Sequence, residues 1–587
     1  MSILSLEALT LAAGPIQLLR DISLTVRAGQ TVGLVGESGA GKSMIGRLVS
    51  GLLPPGFAVT SGRLRFEGAD LTHQPPAQRR SLLGRRIAFI PQEPLSALDP
   101  VLTIGHQFAD HLARLAVPAR ERPTHAARWL EAVHLPDPAA MLRRYPHELS
   151  GGQCQRVLIA MAFSSDPALI VADEPTTALD VLTQGRILFL LKEQQARHGA
   201  AVLLITHDLQ MAARVCDDVA VLYGGDMIER GPAATVLQHP IHPYTISLRN
   251  SAPTLVGPRT TLPNLPDQMP GLAALGSLSG CRFAPRCPAR NEACANALPP
   301  WRFVGTDHAV RCAPSCAGAA SAADLDTPLP GRPREGRPVL ELSGVSLRYP
   351  GRRSLFGRPG RPVDAVCGVS LRVAPGEFVG IVGESGSGKS SIARLVMGLE
   401  RPTDGTITLP GSAQIVFQDS HSALNPRRTV LSLVTQALEA AANPPDRHAT
   451  AQRLLDDTGL PSACLPRVPS QLSGGQRQRV NIARSLCVLP NLLVADEIVS
   501  GLDVSVQAQV LNLLLRLGRE HGTSLLFISH DLAVVRYLCS RVAVMQRGEI
   551  VETGDTETVF SRPTHAYTRA LLEAVRPAPI EEMIPAA

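Results

Sequence analysis

The chain has 587 residues, a length that suits three or four domains rather than one. With 44% apolar and 18% charged residues it carries enough apolar material for packed cores, which argues against general disorder. A net charge of +6 spread over this length is not the clustered basic face of a nucleic-acid binder. No uninterrupted apolar run approaches the roughly 18 residues needed to cross a bilayer. The first residues, MSILSLEALTLAAG, lack the pattern of a signal peptide. The reading is therefore a cytoplasmic chain, in which eleven cysteines serve as thiols or metal ligands rather than disulfides.

Of 57 basic residues only three are lysine: Lys42, Lys192 and Lys389. Two of them close the same local pattern, so those positions require an ammonium and reject a guanidinium. In chain order, the apolar strand TVGLV (31–35) runs into Gly36-Glu-Ser38-Gly39-Ala-Gly41-Lys42-Ser43. This is the G-x-x-x-x-G-K-[ST] loop, read here in its strand–loop–helix setting. Its glycines let backbone N–H groups close on phosphate oxygens, its lysine reaches the β/γ-phosphates, and its serine hydroxyl suits Mg²⁺. Next come RRIAFIP and Gln92, LSGGQ at 149–153, LIVADE at 169–174, ALD at 178–180 and ITHDL at 205–209. His242-Pro-Tyr244-Thr245 follows, then a segment rich in Pro, Gly, Ala and Cys over 251–338. Its end, 317–338, reads as a flexible linker.

The whole series then repeats. EFVGIV (377–382) leads into Gly383-Glu-Ser385-Gly386-Ser-Gly388-Lys389-Ser390, followed by AQIVF and Gln418, LSGGQ, LLVADE, GLD, ISHDL and His565-Ala-Tyr567-Thr568. The two loop lysines are 347 positions apart, whereas everything from LSGGQ onward repeats at 323, so the first copy carries 24 more residues, placed largely in 51–86. The domain limits read from this are 1–250, an extension 251–316, the linker 317–338, 339–575, and a tail 576–587.

Phosphate loop, LSGGQ, an apolar strand ending in Asp-Glu and a strand ending in His together resemble the nucleotide-binding domain of ABC transporters, over most of the chain. The resemblance implies an α/β fold: two tandem ABC-type P-loop ATPase domains, each a RecA-like core with β and helical subdomains, joined by a Cys-rich extension and linker. It implies ATP sandwiched between one domain's phosphate loop and the other's LSGGQ. Asp173 and Asp496 would then hold the Mg²⁺ shell with Ser43, Ser390, Gln92 and Gln418. Glu174 and Glu497 would polarise the attacking water. Gln92, Gln418, His207 and His530 would sense or contact the γ-phosphate, and Ser150, Gly151, Gly152, Ser473, Gly474 and Gly475 would close on the opposing ATP. Phosphoryl transfer needs positioning and charge neutralisation more than covalent chemistry, which suits these residues. Both copies keep all of these residues. Two departures stand out. Tyr349 fits the aromatic that stacks on adenine, but the first copy has Ala13 there. Glu174 is followed by Pro175 and Glu497 by Ile498, which suggests a less rigid glutamate loop at the second site.

The H-x-Y-T motifs resemble the C-terminal extension of the oligopeptide/dipeptide/nickel branch of ABC importers. Cys281, Cys287, Cys294 and Cys312 resemble the four-cysteine segment of that branch, which in some members holds a [4Fe–4S] cluster; zinc and free thiols are the alternatives. Cys316 is a spare thiol. The remaining cysteines (154, 216, 367, 464, 487 and 539) read mostly as small core residues. No ATP-site residue is expected in the extension, so loss of these cysteines is expected to leave ATP hydrolysis largely intact. The resemblance implies a peripheral ATPase subunit on the cytoplasmic face of the membrane. Its implied partners are two transmembrane permease subunits and, indirectly, an extracytoplasmic solute-binding protein, with no nucleic acid. The stretches 93–148 and 419–471, where coupling surfaces would lie, differ from each other, which suits two different permease subunits. A twin-domain ATPase acting on ribosomes and a DNA-repair ATPase are the competing readings.

Overall fold

The computed structural model describes residues 2–176, 179–257, 259, 261–263, 265, 269–313, 315, 333–351, 362–440 and 445–575. Cys316, residues 317–332 of the expected linker and the tail 576–587 lie outside them. Each half is built on strands that are apolar throughout and buried on both faces, as parallel strands between helices must be. Thr31–Val35, Leu169–Asp173 and Ala201–Thr206 are buried along their whole length.

The first core sheet runs Ile87–Ile90, Leu169–Asp173, Ala201–Thr206, Thr31–Val35, Asp218–Tyr223, Asp226–Pro232. The second repeats that order: Ala413–Val416, Leu492–Asp496, Ser524–Ile528, Phe378–Val382, Arg541–Gln546, Glu549–Asp555. The first five strands of each sheet are parallel, and the strand ending at the phosphate loop lies inside the sheet. In such sheets ligands bind at the carboxyl ends of the strands. An antiparallel layer flanks each core: Ser2–Ala13, Ile16–Arg27 and Phe57–Phe66 in the first half, Leu340–Tyr349, Val363–Val373 and Asp404–Thr408 in the second. Between phosphate loop and LSGGQ, Phe57–Phe66 has 10 residues against 5 in Asp404–Thr408. The strand Ala69–Asp70 and helix Pro76–Leu82 that follow have no counterpart among the described residues of the second half. A helical layer (Ile104–Arg114, Arg122–Ala132, Gly151–Phe163) has its second version in Val430–Val434, Arg447–Asp457 and Gly474–Leu486.

The extension is not a separate unit. Strand His308–Val310 pairs with Asp226–Pro232 and Arg302–Val304 pairs with His308–Val310, so the extension adds two strands to the first sheet. At its far end, residues 333–338 are not wholly linker: the Arg334 amide donates to Pro375 O at 2.9 Å, on the second domain.

Candidate functional site

Gly36 ends the strand Thr31–Val35 with φ +150°, and a Cβ there would lie 2.3 Å from Leu222 O, so only glycine fits; Gly383 repeats this with φ +156° and 2.1 Å to Met545 O. The loop then enters helix Lys42–Val49 through Gly41, or Lys389–Val396 through Gly388. The lysine curls back under its own loop: Lys42 Nζ donates to Gly36 O at 2.7 Å and Glu37 O at 2.9 Å, and Lys389 Nζ to Gly383 O at 2.8 Å and Glu384 O at 2.7 Å. Burial lowers both lysine pKa values against the pull of the surrounding carboxylates. Three rotatable donors on a narrow stem fit two convergent carbonyls, and a planar fork does not.

The Asp-Glu pair sits where its strand ends. Ser43 Oγ donates to Asp173 Oδ1 at 3.0 Å and Ser390 Oγ to Asp496 Oδ1 at 3.2 Å. Glu174 and Glu497 turn in the left-handed region, φ +46° and +49°, a strained conformation for a non-glycine residue. Each backbone amide is held, Glu174 N by Ile205 O and Glu497 N by Ile528 O, both at 2.9 Å. The Pro175/Ile498 difference therefore leaves the two glutamates in the same geometry. Gln92 Nε2 donates to Glu174 Oε2 at 2.9 Å and Gln418 Nε2 to Glu497 Oε2 at 2.8 Å. His207 Nδ1 lies 3.2 Å from Glu174 and His530 Nδ1 3.4 Å from Glu497. Burial opposes charge on both histidines, yet the hydrogen bond to the glutamate raises them. Burial likewise pushes Glu497 up, while His530 holds it below the usual range.

Ser150 and Ser473 start their helices with a reciprocal capping box: Gln153 N donates to Ser150 Oγ and Gln476 N to Ser473 Oγ, both at 3.3 Å. The helix N-termini at Gly151-Gly152 and Gly474-Gly475 are thereby fixed as anion-favouring ends. One cavity of 620 Å³ is walled by Gly39, Lys42, Ser43, Gln92, Glu174 and His207 of the first half and by Ser473, Gly474 and Gly475 of the second. Across the same junction Ser38 N donates to Asp503 Oδ1 at 2.6 Å. Tyr349 closes strand Leu340–Tyr349 and packs on the second antiparallel layer.

Sequence reasoning missed how far the extension enters this site. Met269, Pro270 and Leu275 wall the same cavity, beside Leu18, on the copy whose strand ends in Ala13 instead of an aromatic. Arg286, 3% exposed, pairs with Glu37 of the phosphate loop at 2.8 Å. The extension, where no ATP-site residue was expected, thus packs directly against the phosphate loop. The H-x-Y-T motif has the same target. Glu229 accepts from Ile241 N and His242 N, His242 Nδ1 caps helix Pro243–Asn250, and the Tyr244 hydroxyl accepts from Glu37 N at 2.8 Å. Glu552, His565 and Tyr567 repeat this, with Glu384 N donating to Tyr567 Oη at 2.9 Å. The constant offset of the two motifs was the signal that could have found this clamp.

Cys281, Cys287, Cys294 and Cys312 line one cavity with His242 and Phe283. Its volume is 10 Å³, room for about one water. Burial pushes the Cys281 thiol up to about 12. Among the described residues no group of three or more His, Cys, Asp or Glu side chains is arranged to hold a metal ion. The donor set suits a thiolate-bound centre in kind, and no cluster is shown.

Fold and site together define a P-loop ATPase with two nucleotide sites in one chain. Residues 19–177 and 366–500 match the ABC transporter family, and 228–294 and 551–582 match the oligopeptide/dipeptide transporter C-terminal region. The chain is 40% identical to the oligopeptide transport ATP-binding protein OppD of Mycobacterium tuberculosis (strain ATCC 25618 / H37Rv), over 96% of this chain and 95% of that protein. It is 36% identical to the glutathione import ATP-binding protein GsiA of Escherichia coli (strain K12), over 95% of this chain and 86% of that one. The archaeal ribosome recycling factor aABCE1, solved in complex with a ribosomal stalk protein, aligns with a TM-score of 0.53 at 18% identity, over 90% of this chain and 84% of that one, a likeness of fold alone. The chain belongs to the ABC transporter family, as a subunit carrying two ATP-binding domains with the C-terminal region of the oligopeptide/dipeptide branch.

Proposed function

We infer that this chain is the ATP-hydrolysing subunit that powers uptake of peptides or related small solutes through a separate membrane permease, at the cytoplasmic face of the membrane. The observation that carries the reading is the composite cavity, in which the first phosphate loop faces Ser473-Gly474-Gly475 of the second domain while Gln92 and His207 flank Glu174. Lys42 and the helix N-termini neutralise phosphate charge. Glu174 is placed to orient and polarise the attacking water, and His207 to hold Glu174 and reach the γ-phosphate. The oxygen-only set of Ser43, Asp173 and the Gln92 carbonyl suits Mg²⁺, which would supply charge neutralisation on the phosphates. Glu497, His530, Gln418, Asp496, Ser390 and Lys389 take the same roles in the second site, opposite Ser150-Gly151-Gly152, with Tyr349 on its adenine.

Among the described residues no helix is long and apolar enough to cross a membrane, so the path for solute belongs to partners. The differing helical layers, 93–148 and 419–471, suit two different permease subunits. The oligopeptide/dipeptide C-terminal region and the two full-length import relatives favour transport over a ribosome-acting role. The finer reading that Cys281, Cys287, Cys294 and Cys312 hold a [4Fe–4S] cluster rests on their sharing one cavity. Anaerobic metal and sulfide analysis decides it: about four irons per chain support it, and stoichiometric zinc or no metal removes it. The function itself is tested by co-purification. The chain should travel with membranes and a permease, not with pelleted ribosomes, and should drive ATP-dependent peptide uptake in vesicles. Ribosome association without membrane association would overturn it.

A further inference from the structure

The phosphate loop of the first domain carries a carboxylate where phosphate is to bind. Glu37 is only 5% exposed, and an uncompensated buried carboxylate beside phosphate oxygens would repel them. Its polar atoms are nevertheless all engaged. The amide donates to the Tyr244 hydroxyl and the carbonyl accepts from Lys42. The carboxylate accepts from Arg286 Nη1 at 2.8 Å and Nη2 at 3.4 Å. Ser505 of the second domain donates to the same carboxylate. Arg286 itself is set by its surroundings. It ends the short turn Ala284–Arg286, and the neighbouring Phe283 packs edge-on against Tyr223 and Tyr244, with ring centroids 5.0 and 5.3 Å apart. The guanidinium also donates to the Tyr223 hydroxyl at 3.3 Å.

The second loop has the same glutamate and half of this arrangement. Glu384 N donates to Tyr567 and its carbonyl accepts from Lys389. Among the described residues, however, Glu384 forms no salt bridge; its side chain is half-buried, and the repeat offset places Leu182 where the first site has Ser505. A neutral leucine can neither donate to a carboxylate nor offset its charge.

We propose that Arg286 is a positioning residue for ATP at the first site: by pairing with Glu37 it neutralises and orients the first phosphate loop, so the cysteine-bearing extension is an integral part of the first ATP site and not of the second. Ser505 makes that pairing complete only when the second domain is docked. The proposal rests on the ATP-site reading above and extends it to a difference between the sites.

The test uses the full chain with Glu174→Gln and Glu497→Gln, in which bound ATP persists, and reads an equilibrium ATP-binding isotherm for two sites. Lys42→Ala or Lys389→Ala, added singly, identifies each site in the isotherm. If the parent variant binds no ATP, or turns it over at the wild-type rate, the ATP-site reading itself fails, whatever Arg286 does. With two sites resolved, Arg286→Ala should weaken the first by at least about tenfold and leave the second unchanged. The neutral pair Glu37→Gln with Arg286→Met should restore the first site to within about threefold of the parent, a recovery that a purely structural arginine would not permit. Equal weakening of both sites, no weakening of either, or failure of the neutral pair to recover would overturn the proposal. If Arg286→Ala does not fold, the neutral pair alone decides it.

Discussion

The two ATP sites are alike within each domain and unlike across the junction. Inside a domain, lysine, serine, Asp-Glu pair, glutamine and histidine superpose in kind and in distance. Across it, Asp503 and Asp180 follow different courses. Asp180 is taken by its own helix: Thr183 N donates to it at 3.0 Å and Thr183 Oγ1 at 3.1 Å. The repeat places Val506 where Thr183 stands, and Asp503 makes no side-chain cap on its own helix; it reaches instead to Ser38 N in the other domain. The Thr183 hydroxyl adds a second bond that holds Asp180 on its own helix, and Val506 offers Asp503 no such bond. The lesson is that duplicated catalytic parts need not make duplicated sites, because closure also depends on what surrounds the motif residues.

The largest expected effect tests the likeness. Glu174→Gln and Glu497→Gln should each slow hydrolysis at their own site by roughly 10²–10⁴-fold if each acts on the attacking water. The double variant should trap ATP, and near-wild-type turnover by it would remove the assignment. Lys42→Arg and Lys389→Arg should both weaken ATP binding by at least about tenfold despite keeping the charge, since a planar fork does not fit the convergent carbonyls. Normal affinity in both would undo the argument drawn from lysine scarcity. The next tests sharpen the difference. Asp503→Ala should weaken ATP at the first site roughly three- to tenfold, as loss of a hydrogen bond to a charged group. Asp180→Ala should instead cost about 1 kcal/mol of stability through its lost helix cap, read by denaturant unfolding, with ATP affinity little changed. The smallest effect belongs to Thr183→Val, which removes one of the two Thr183 bonds to Asp180 and should narrow the affinity gap between the sites slightly.

The tandem architecture and the motif residues were legible in the sequence because they are local: each loop, signature and Asp-Glu pair lies within a few positions and recurs at a fixed offset. The Asp180 and Asp503 contrast was half-legible, since Thr183 and Val506 can be read from the repeat, although their consequence cannot. Arg286 was not legible. It stands 249 positions from Glu37, inside a cysteine pattern that drew attention to thiols and away from the arginines between them. Arg282 and Arg311 were hidden in the same way: they are buried and anchor the extension on Gln17 O and Asp21. The cysteine pattern was legible as a convergence of four thiols on one cavity, although spacing along a chain does not say what they hold.

The strand His308–Val310, which completes the first sheet, has a consequence for synthesis. At about 5–20 residues per second, a ribosome takes roughly 3–12 s to pass from Asn250 to Cys312. Throughout that interval the edge at Asp226–Pro232 lacks its partner strand and Glu37 lacks Arg286. An open edge is a template for wrong pairing. The chain order places the closing strand ahead of every strand of the second domain. His308–Val310 therefore emerges before the first strand of the second domain, Leu340–Tyr349, and is free to close the edge first.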